Sequence, residues 1–376
     1  MLQVTPALDG GGVEQLTLDV AAAVAAAHLR SLVASRGGRL ESVLERSGAE
    51  LVRMPVHSRN PFTMAANAAR LAGLIRRRNV SLIHVRSRAP AFSALSAARA
   101  TGVPLVTTYH GIYGASSSLK RWYNAIMTRG DLVIANSRFT AAHVIAEHHI
   151  DLQKVAIVPE GIDTARFNPA AVAKPRLAAL RAAWAIAPGD PRTIILLPAR
   201  LTWWKGHAFF IEALAGVMAR EEVLLILAGG ATQSDYALSI EAAAAVAGMS
   251  DQVRMVGPCD DMPAAYALAD LVVAPSILPE SFGRTVVEAG AMRRPVIASD
   301  LGGPAETVVH GVTGWLATPG DVEAWRAALA TALAADQDAR RKMGAAARTR
   351  VLRLYSLAAM CKATFDVYRR VLGGRA

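Results

Sequence analysis

Short apolar runs alternate with helix-length stretches along this 376-residue chain, and that alternation admits few folds. In the first half the runs fall at 2–5, 31–34, 50–54, 81–85, 104–108, 132–135 and 155–158. Helical patterns such as 13–27, 62–78 and 117–128 lie between them. Strands separated by helices are βαβ units, and successive units build a parallel sheet. A proline-rich passage with Pro169, Pro175, Pro188 and Pro191 then interrupts the pattern, and the linker is read within it at residues 171–192. The alternation restarts with runs at 193–197, 223–227, 253–256, 271–274 and 295–299. The expected fold class is therefore α/β, with doubly wound domains at 1–170 and 193–354, each long enough to bury its own core. Ligands of such sheets bind outside the carboxyl ends of the strands.

One of those ends carries two glutamates, in Leu278-Pro-Glu-Ser-Phe-Gly-Arg-Thr-Val-Val-Glu288, just after the run 271–274. A helix is expected to begin near Arg284. That places Phe282, Gly283 and the amides of Arg284, Thr285 and Val286 at a helix N-terminus, where free N–H groups and the positive dipole end favour a phosphate. Glu280 precedes the helix and Glu288 lies about one turn inside it. Two acceptors would then flank an anion, as a sugar and a ribose joined by a diphosphate require. The plain alternative is an acidic residue at a helix start and a solvated glutamate on its face.

Further segments stand in a recognisable order. They are Gly10-Gly-Gly-Val-Glu14 after the first run, Thr107-Thr-Tyr-His-Gly111, Val158-Pro-Glu-Gly-Ile-Asp163, and Pro198-Ala-Arg-Leu-Thr-Trp-Trp-Lys-Gly206. Together with the two-glutamate segment they resemble retaining glycosyltransferases of family 4, and the resemblance covers essentially the whole chain. It implies the GT-B fold, two Rossmann-like domains facing across a cleft, with acceptor binding in the first and nucleotide-sugar binding in the second. It also implies that the amphipathic tail, 355–376, crosses back onto the first domain; a helix packed on its own domain is the alternative.

The implied reaction leaves a nucleoside diphosphate that gains negative charge. Either a divalent metal on an Asp-x-Asp pair or fixed cations with a helix N-terminus can stabilise it. The only such triplet, Asp336-Gln-Asp338, sits in an alanine-rich helical stretch and reads as surface, so neither metal nor cofactor is expected. Arg200 and Lys205 follow a buried strand and suit the second solution, a fork and a point charge on phosphate oxygens. An isolated Arg-x4-Lys would otherwise be a solvated loop. By resemblance Glu280, Arg200, Lys205 and His110 are catalytic, with His110 orienting the transferred sugar. Gly11, Gly12, Gly230, Cys259, Phe282, Gly283, Arg284, Thr285, Val286 and Glu288 would join Arg200, Lys205 and Glu280 in binding the donor. Glycines at 10–12 permit a tight turn and close backbone approach, and a mere turn competes with that reading. Glu14 either faces the ligand or caps the helix. Glu160 stands where the family typically has Asn, which puts its contribution in doubt. The other histidines, including His84, His143, His148 and His149, read as structural.

Charge is unevenly placed. Residues 51–130 hold 12 Lys and Arg and no acid. Arg70, Arg76, Arg77, Arg78, Arg86 and Arg88 are followed by Lys120-Arg-Trp-Tyr123, so this stretch is expected to attract phosphates. Arg76, Arg77, Arg78, Lys120 and Arg121 would contact an anionic membrane surface; a solvated arginine-rich surface is the alternative. No nucleic-acid motif accompanies the stretch, and nucleic acid is not expected as a partner. No apolar run approaches the ~18–20 residues of a spanning helix. Cys259 and Cys361 form no framework. Met1 leads straight into a strand, so no signal peptide is expected. The expected address is the cytoplasm, peripherally on the inner face of the cytoplasmic membrane. The expected partners are a UDP-, GDP- or ADP-sugar and a glycan or lipid-linked acceptor of the bacterial envelope. A nucleotide-sugar 2-epimerase of the same fold and a non-catalytic scaffold are the competing readings.

Overall fold

The computed structural model describes residues 1–114, 116–217, 222–230 and 234–373. The chain forms two compact units, one of Met1–Gly161 with Leu357–Ala376 and one of Ile162–Ser356.

In the first unit, seven strands form one parallel sheet: β1 (Leu2–Val4), β2 (Leu32–Ser35), β3 (Glu50–Arg53), β4 (Ile83–Val85), β5 (Leu105–Tyr109), β6 (Leu132–Ala135) and β7 (Val155–Ile157). Their order is β3-β2-β1-β4-β5-β6-β7, with Leu2 in register with Leu32 on one side and Ile83 on the other. The inner strands β1, β2, β4, β5 and β6 are buried along their whole length, so helices cover both faces. The helix Leu357–Gly373 belongs to this unit. It buries Met360, Val367, Tyr368 and Val371 against Leu16, Val20 and Val24 of the helix Gly12–Ala26 and against Val106 and Ile134 of the sheet. Within that seam the Tyr368 hydroxyl lies 2.7 Å from His84 Nδ1, and His84 Nε2 lies 2.6 Å from Thr108 Oγ1. Burial holds His84 well below the ordinary histidine value. Residues 374–376 of the expected tail lie outside the described residues.

In the second unit six strands form a parallel sheet: β8 (Thr193–Pro198), β9 (Val223–Ala228), β10 (Val253–Gly257), β11 (Leu271–Ala274), β12 (Val296–Ser299) and β13 (Trp315–Ala317), ordered β10-β9-β8-β11-β12-β13. Successive residues of β8 and β9 point to opposite faces, and both faces are core. Ile195, Leu197, Leu225 and Leu227 pack with Phe210 and Trp325, while Ile194, Leu196, Leu224 and Ile226 pack with Tyr266 and Val287. Strand β13 was not expected, because three residues carry no period of their own.

The passage read as a linker corrects that reading. Residues 171–192 lie wholly in the second unit, and the helix Lys174–Ala183 packs on the helix Met262–Leu268. Arg176 Nε donates to Asp261 at 2.8 Å, and Trp184 and Ile186 enter the core. Two prolines at its start begin helical turns: Pro169, just before the passage, opens a 3-10 turn and Pro175 sits in the first turn of Lys174–Ala183. Proline suits a helix start because its missing N–H would have no partner there. Among the described residues no helix is long and apolar enough to cross a membrane.

The Tyr368→Phe variant tests how the last helix is tied down. Removing the hydroxyl leaves a fully buried His84 nitrogen without its partner and should cost about 1–3 kcal/mol, read from the urea midpoint. An unchanged midpoint would assign the seam to apolar packing alone.

Candidate active site

The second sheet reverses its winding between β8 and β11. From β8 the chain proceeds outward to β9 and β10, and from β11 outward to β12 and β13 on the other side. Loops leaving two such neighbours diverge and open a crevice at their carboxyl ends. After β8 a 3-10 turn, Trp203–Lys205, ends at Gly206 with φ of 75°. A Cβ on Gly206 would lie 2.0 Å from the Pro275 carbonyl oxygen, so glycine lets this turn press against the end of β11. The Ile277 amide donates to the Trp204 carbonyl at 2.8 Å and locks the two loops together.

There Lys205 Nζ meets Glu280 Oε1 at 2.8 Å, with the two side chains 12% and 16% exposed. Ser276 Oγ donates to the same carboxylate oxygen, and the ammonium sits 4.4 Å from the centre of the Trp204 ring. The Glu280 backbone is fixed from the other side, where the Gly303 amide donates to its carbonyl at 2.8 Å. Side chains at 302 and 303 would strike residues 280 and 282.

Glu288 lies in the helix Arg284–Ala291, where Arg284 Nε donates to Oε1 at 2.9 Å and the Tyr266 hydroxyl donates to Oε2 at 3.0 Å. Burial pushes this carboxyl above its ordinary value, opposed by Arg284 and Tyr266. Gly283 precedes the helix with φ of 82°. One expectation needs correction here. The Val286 amide donates to the Gly283 carbonyl at 3.0 Å and its side chain is buried, so it offers nothing to an anion. Phe282 is buried edge-on against Tyr355, with ring centres 5.7 Å apart, and shapes the loop from within. Thr285 Oγ1 donates to the Pro198 carbonyl at 3.3 Å, tying the helix start to β8.

Arg200 is exposed just beyond β8. Gly229 and Gly230, after β9, have φ of 139° and 73°, and added Cβ atoms would lie 2.5 Å from the Ala199 carbonyl and 2.9 Å from the Leu201 amide. Gly230 and Arg200 therefore share one place. Cys259, after β10, is half-buried against the core, which pushes its thiol up. His207, beside Lys205, is fully buried; burial and then that cation pull it down to about 4, which leaves it neutral near pH 7. Asp336 caps the helix Gln337–Leu354 and Asp338 is exposed, as their surface reading requires.

In the first unit a second group gathers at adjacent carboxyl ends. Arg86 follows β4, His110 follows β5, Asn136 follows β6 and Glu160 lies beyond β7. His110 Nδ1 is 3.7 Å from Glu160 Oε1, with side chains 8% and 13% exposed, and Asn136 Nδ2 donates to the same oxygen at 2.9 Å. Arg86 is buried, donating from Nε to Gln3 Oε1 at 3.1 Å. Gly10 and Gly11 have φ of 138° and 143°, Gly11 and Gly12 are exposed, and the helix starts at Gly12. Glu14 folds back over Gly11, where a Cβ would meet its carboxylate at 2.7 Å.

The acid-free stretch does not form one face. Arg76 donates to the Ala100 carbonyl at 2.9 Å, Arg78 pairs with Glu50, and Arg86 is buried. Arg88 donates to Asn124 Oδ1 at 2.7 Å and covers the Tyr113 ring. Arg76–Arg78 end a helix that leads into β4, whereas Lys120 and Arg121 lie on the helix Ser118–Asn124, whose end meets Tyr109 at the carboxyl end of β5. The two basic groups thus occupy opposite edges of the sheet. Leu119 and Trp122 are exposed beside the second.

Sequence reasoning named Lys205, Glu280 and Glu288 but missed what holds them, Ser276, Tyr266 and the Trp204 ring. A polar residue directly after a buried strand was the one available signal for Ser276.

Two sequence-family models match the chain, Glycosyltransferase Family 4 over residues 10–166 and Glycosyl transferases group 1 over residues 182–350. A glycosyltransferase of Rickettsia africae superposes with a TM-score of 0.89 at 31% identity, covering 99% of this chain and 98% of that one. D-inositol 3-phosphate glycosyltransferase of Segniliparus rotundus is 32% identical over 291 residues, 73% of this chain but only 63% of that protein's length. Anabaena Alr3699/HepE, solved with UDP and glucose, shares the fold with a TM-score of 0.80 at 24% identity over 98% of both chains.

A Gly206→Ala substitution should show how strictly the crevice depends on its glycine turn. Left-handed backbone alone costs a side-chain-bearing residue about 1–3 kcal/mol, and the overlap with Pro275 adds to it. The expected result is a lower thermal midpoint and weaker nucleotide binding together; an unchanged midpoint would mean the turn relaxes freely.

Proposed function

The chain belongs to the group 1 glycosyl transferases, with a family 4 amino-terminal half, and on that premise we propose that it moves a sugar from a nucleotide-sugar donor to an acceptor hydroxyl with retention of configuration. The observation that carries this reading is the Lys205–Glu280 pair at the carboxyl ends of β8 and β11, with the start of the helix Arg284–Ala291 tied to β8 through Thr285 and Arg200 exposed just beyond that strand. Arg200 and Lys205 stabilise the diphosphate as it departs, and their pre-set charges require no rearrangement at that moment. The free amides of the helix start add partial positive charge. Glu288 accepts from the ribose hydroxyls and Glu280 from the transferred sugar. His110 orients that sugar, Gly11, Gly12 and Gly230 let backbone approach the donor, and the loop at Cys259 borders the base. The departing phosphate takes the acceptor proton, so no separate carboxylate nucleophile is needed. In this reading no metal takes part.

UDP-sugars are the first donors to test, because HepE was solved with UDP. For the acceptor, the basic and aromatic surface at Lys120, Arg121 and Trp122 supports a lipid-linked or envelope glycan reached from the cytoplasmic face of a membrane. The Segniliparus relative favours a second reading, a phosphorylated polyol. Transfer assays with each acceptor class decide between them, and epimer formation from donor alone would sink both.

Glu288→Ala should lose about 1.5–3 kcal/mol of nucleoside diphosphate binding by calorimetry, the worth of a hydrogen bond to a charged group. Glu280→Ala should keep that binding and lose turnover, with EDTA present throughout. Equal loss of diphosphate affinity in both would overturn the division of labour.

Membrane contact should reside at the carboxyl edge. Each cation near an anionic surface contributes about 1 kcal/mol, so Lys120→Glu with Arg121→Glu should abolish sedimentation with anionic vesicles. Arg76→Glu with Arg78→Glu should not. Equal pelleting with neutral and anionic vesicles would count against the surface altogether.

A further inference from the structure

We propose that Glu160 is a positioning residue for His110, its carboxylate setting the orientation of the ring and keeping the proton on Nδ1. The proposal rests on the reading that His110 touches the transferred sugar. Its basis is geometric. Glu160 Oε1 is anchored by the Asn136 amide at 2.9 Å and faces His110 Nδ1 at 3.7 Å, and neither side chain has much solvent to turn into. That separation is longer than a hydrogen bond, yet catalytic contacts of unliganded sites are often long and tighten when substrate binds. With a carboxylate opposite Nδ1, the proton stays on that nitrogen and Nε2 keeps its lone pair. The ring then accepts from a sugar hydroxyl through Nε2.

The surroundings explain why an anion is needed there. Burial disfavours the charged ring, and Arg86 from the end of β4 opposes it as well. Glu160 from beyond β7 and Glu14 from the helix Gly12–Ala26 act in the other direction. Burial holds His84 on β4 well below the ordinary histidine value, and Tyr113 shares a backbone hydrogen bond with His110. Among these groups Glu160 is the carboxylate in direct contact with the ring. Its neighbour Arg86 donates from Nε to Gln3 and also feels the charge of Glu160.

Glu160→Gln separates charge from shape, because its side-chain oxygen can still accept from Asn136. Without the carboxylate the ring binds a proton less readily. The acid limb of kcat/KM, which marks loss of the Nε2 lone pair, should therefore move to lower pH, and the His110 imidazole should titrate lower by NMR in the full chain. We expect kcat to fall about tenfold to hundredfold, the usual effect of a misplaced orienting group, with donor KM unchanged. Glu160→Asp should restore the limb at reduced kcat, and Glu160→Gln should add nothing in a His110→Asn background. An unmoved limb and an unmoved His110 titration would overturn the proposal, as would an undiminished effect in that background. If His110→Asn itself leaves turnover intact, the reading of His110 fails and takes this proposal with it. If His110→Asn is damaging and Glu160→Gln is silent, only the role of Glu160 is lost.

Discussion

Within each sheet every strand pair is parallel, so each unit delivers all its strand ends to one edge. Everything chemical in this chain follows from that constraint. Parallel strands need crossover helices, the helices bury both faces, and the polar groups are left to the loops at the carboxyl ends. In the second unit those loops carry Lys205, Arg200, Gly230, Ser276 and Glu280; in the first they carry Arg86, His110, Asn136 and Glu160. Residues far apart in sequence become neighbours because their strands are.

Charges at these edges are kept in pairs. A half-buried carboxylate or ammonium loses hydration and is tolerated only where an opposite charge or several donors compensate. Lys205 with Glu280 and Arg284 with Glu288 follow that rule, and Ser276 and Tyr266 supply the extra donors. In the proposed reading these pairs are what a diphosphate and two sugar rings engage, since each pair already presents a cation beside an acceptor. Glycines complete the arrangement, because Gly206, Gly229, Gly302 and Gly303 let backbones approach to distances a Cβ would forbid.

Much of this was legible in the residues alone. Among the described residues, twelve of the thirteen strands were readable as short apolar runs, since most of them are buried and buried strands need that composition wherever they lie. The positions of Lys205, Glu280 and Glu288 relative to their strands and helix were readable for the same reason. The proline-rich passage misled because proline both breaks elements and begins them, and only the packing of Trp184 and Ile186 tells which. The arginine-rich stretch misled because a charge count does not know that Arg78 pairs with Glu50 and that Arg86 is buried.

Local composition, then, determined the elements, their parallel pairing and the residue types at each strand end, because period and propensity act over a few residues. Partnership was decided by the tertiary structure alone. Which oxygen Lys205 meets and that Glu160 comes to face His110 depend on distances set by strand order. Strand order is a global property, fixed by how two buried faces share their helices, and no short window of sequence contains it.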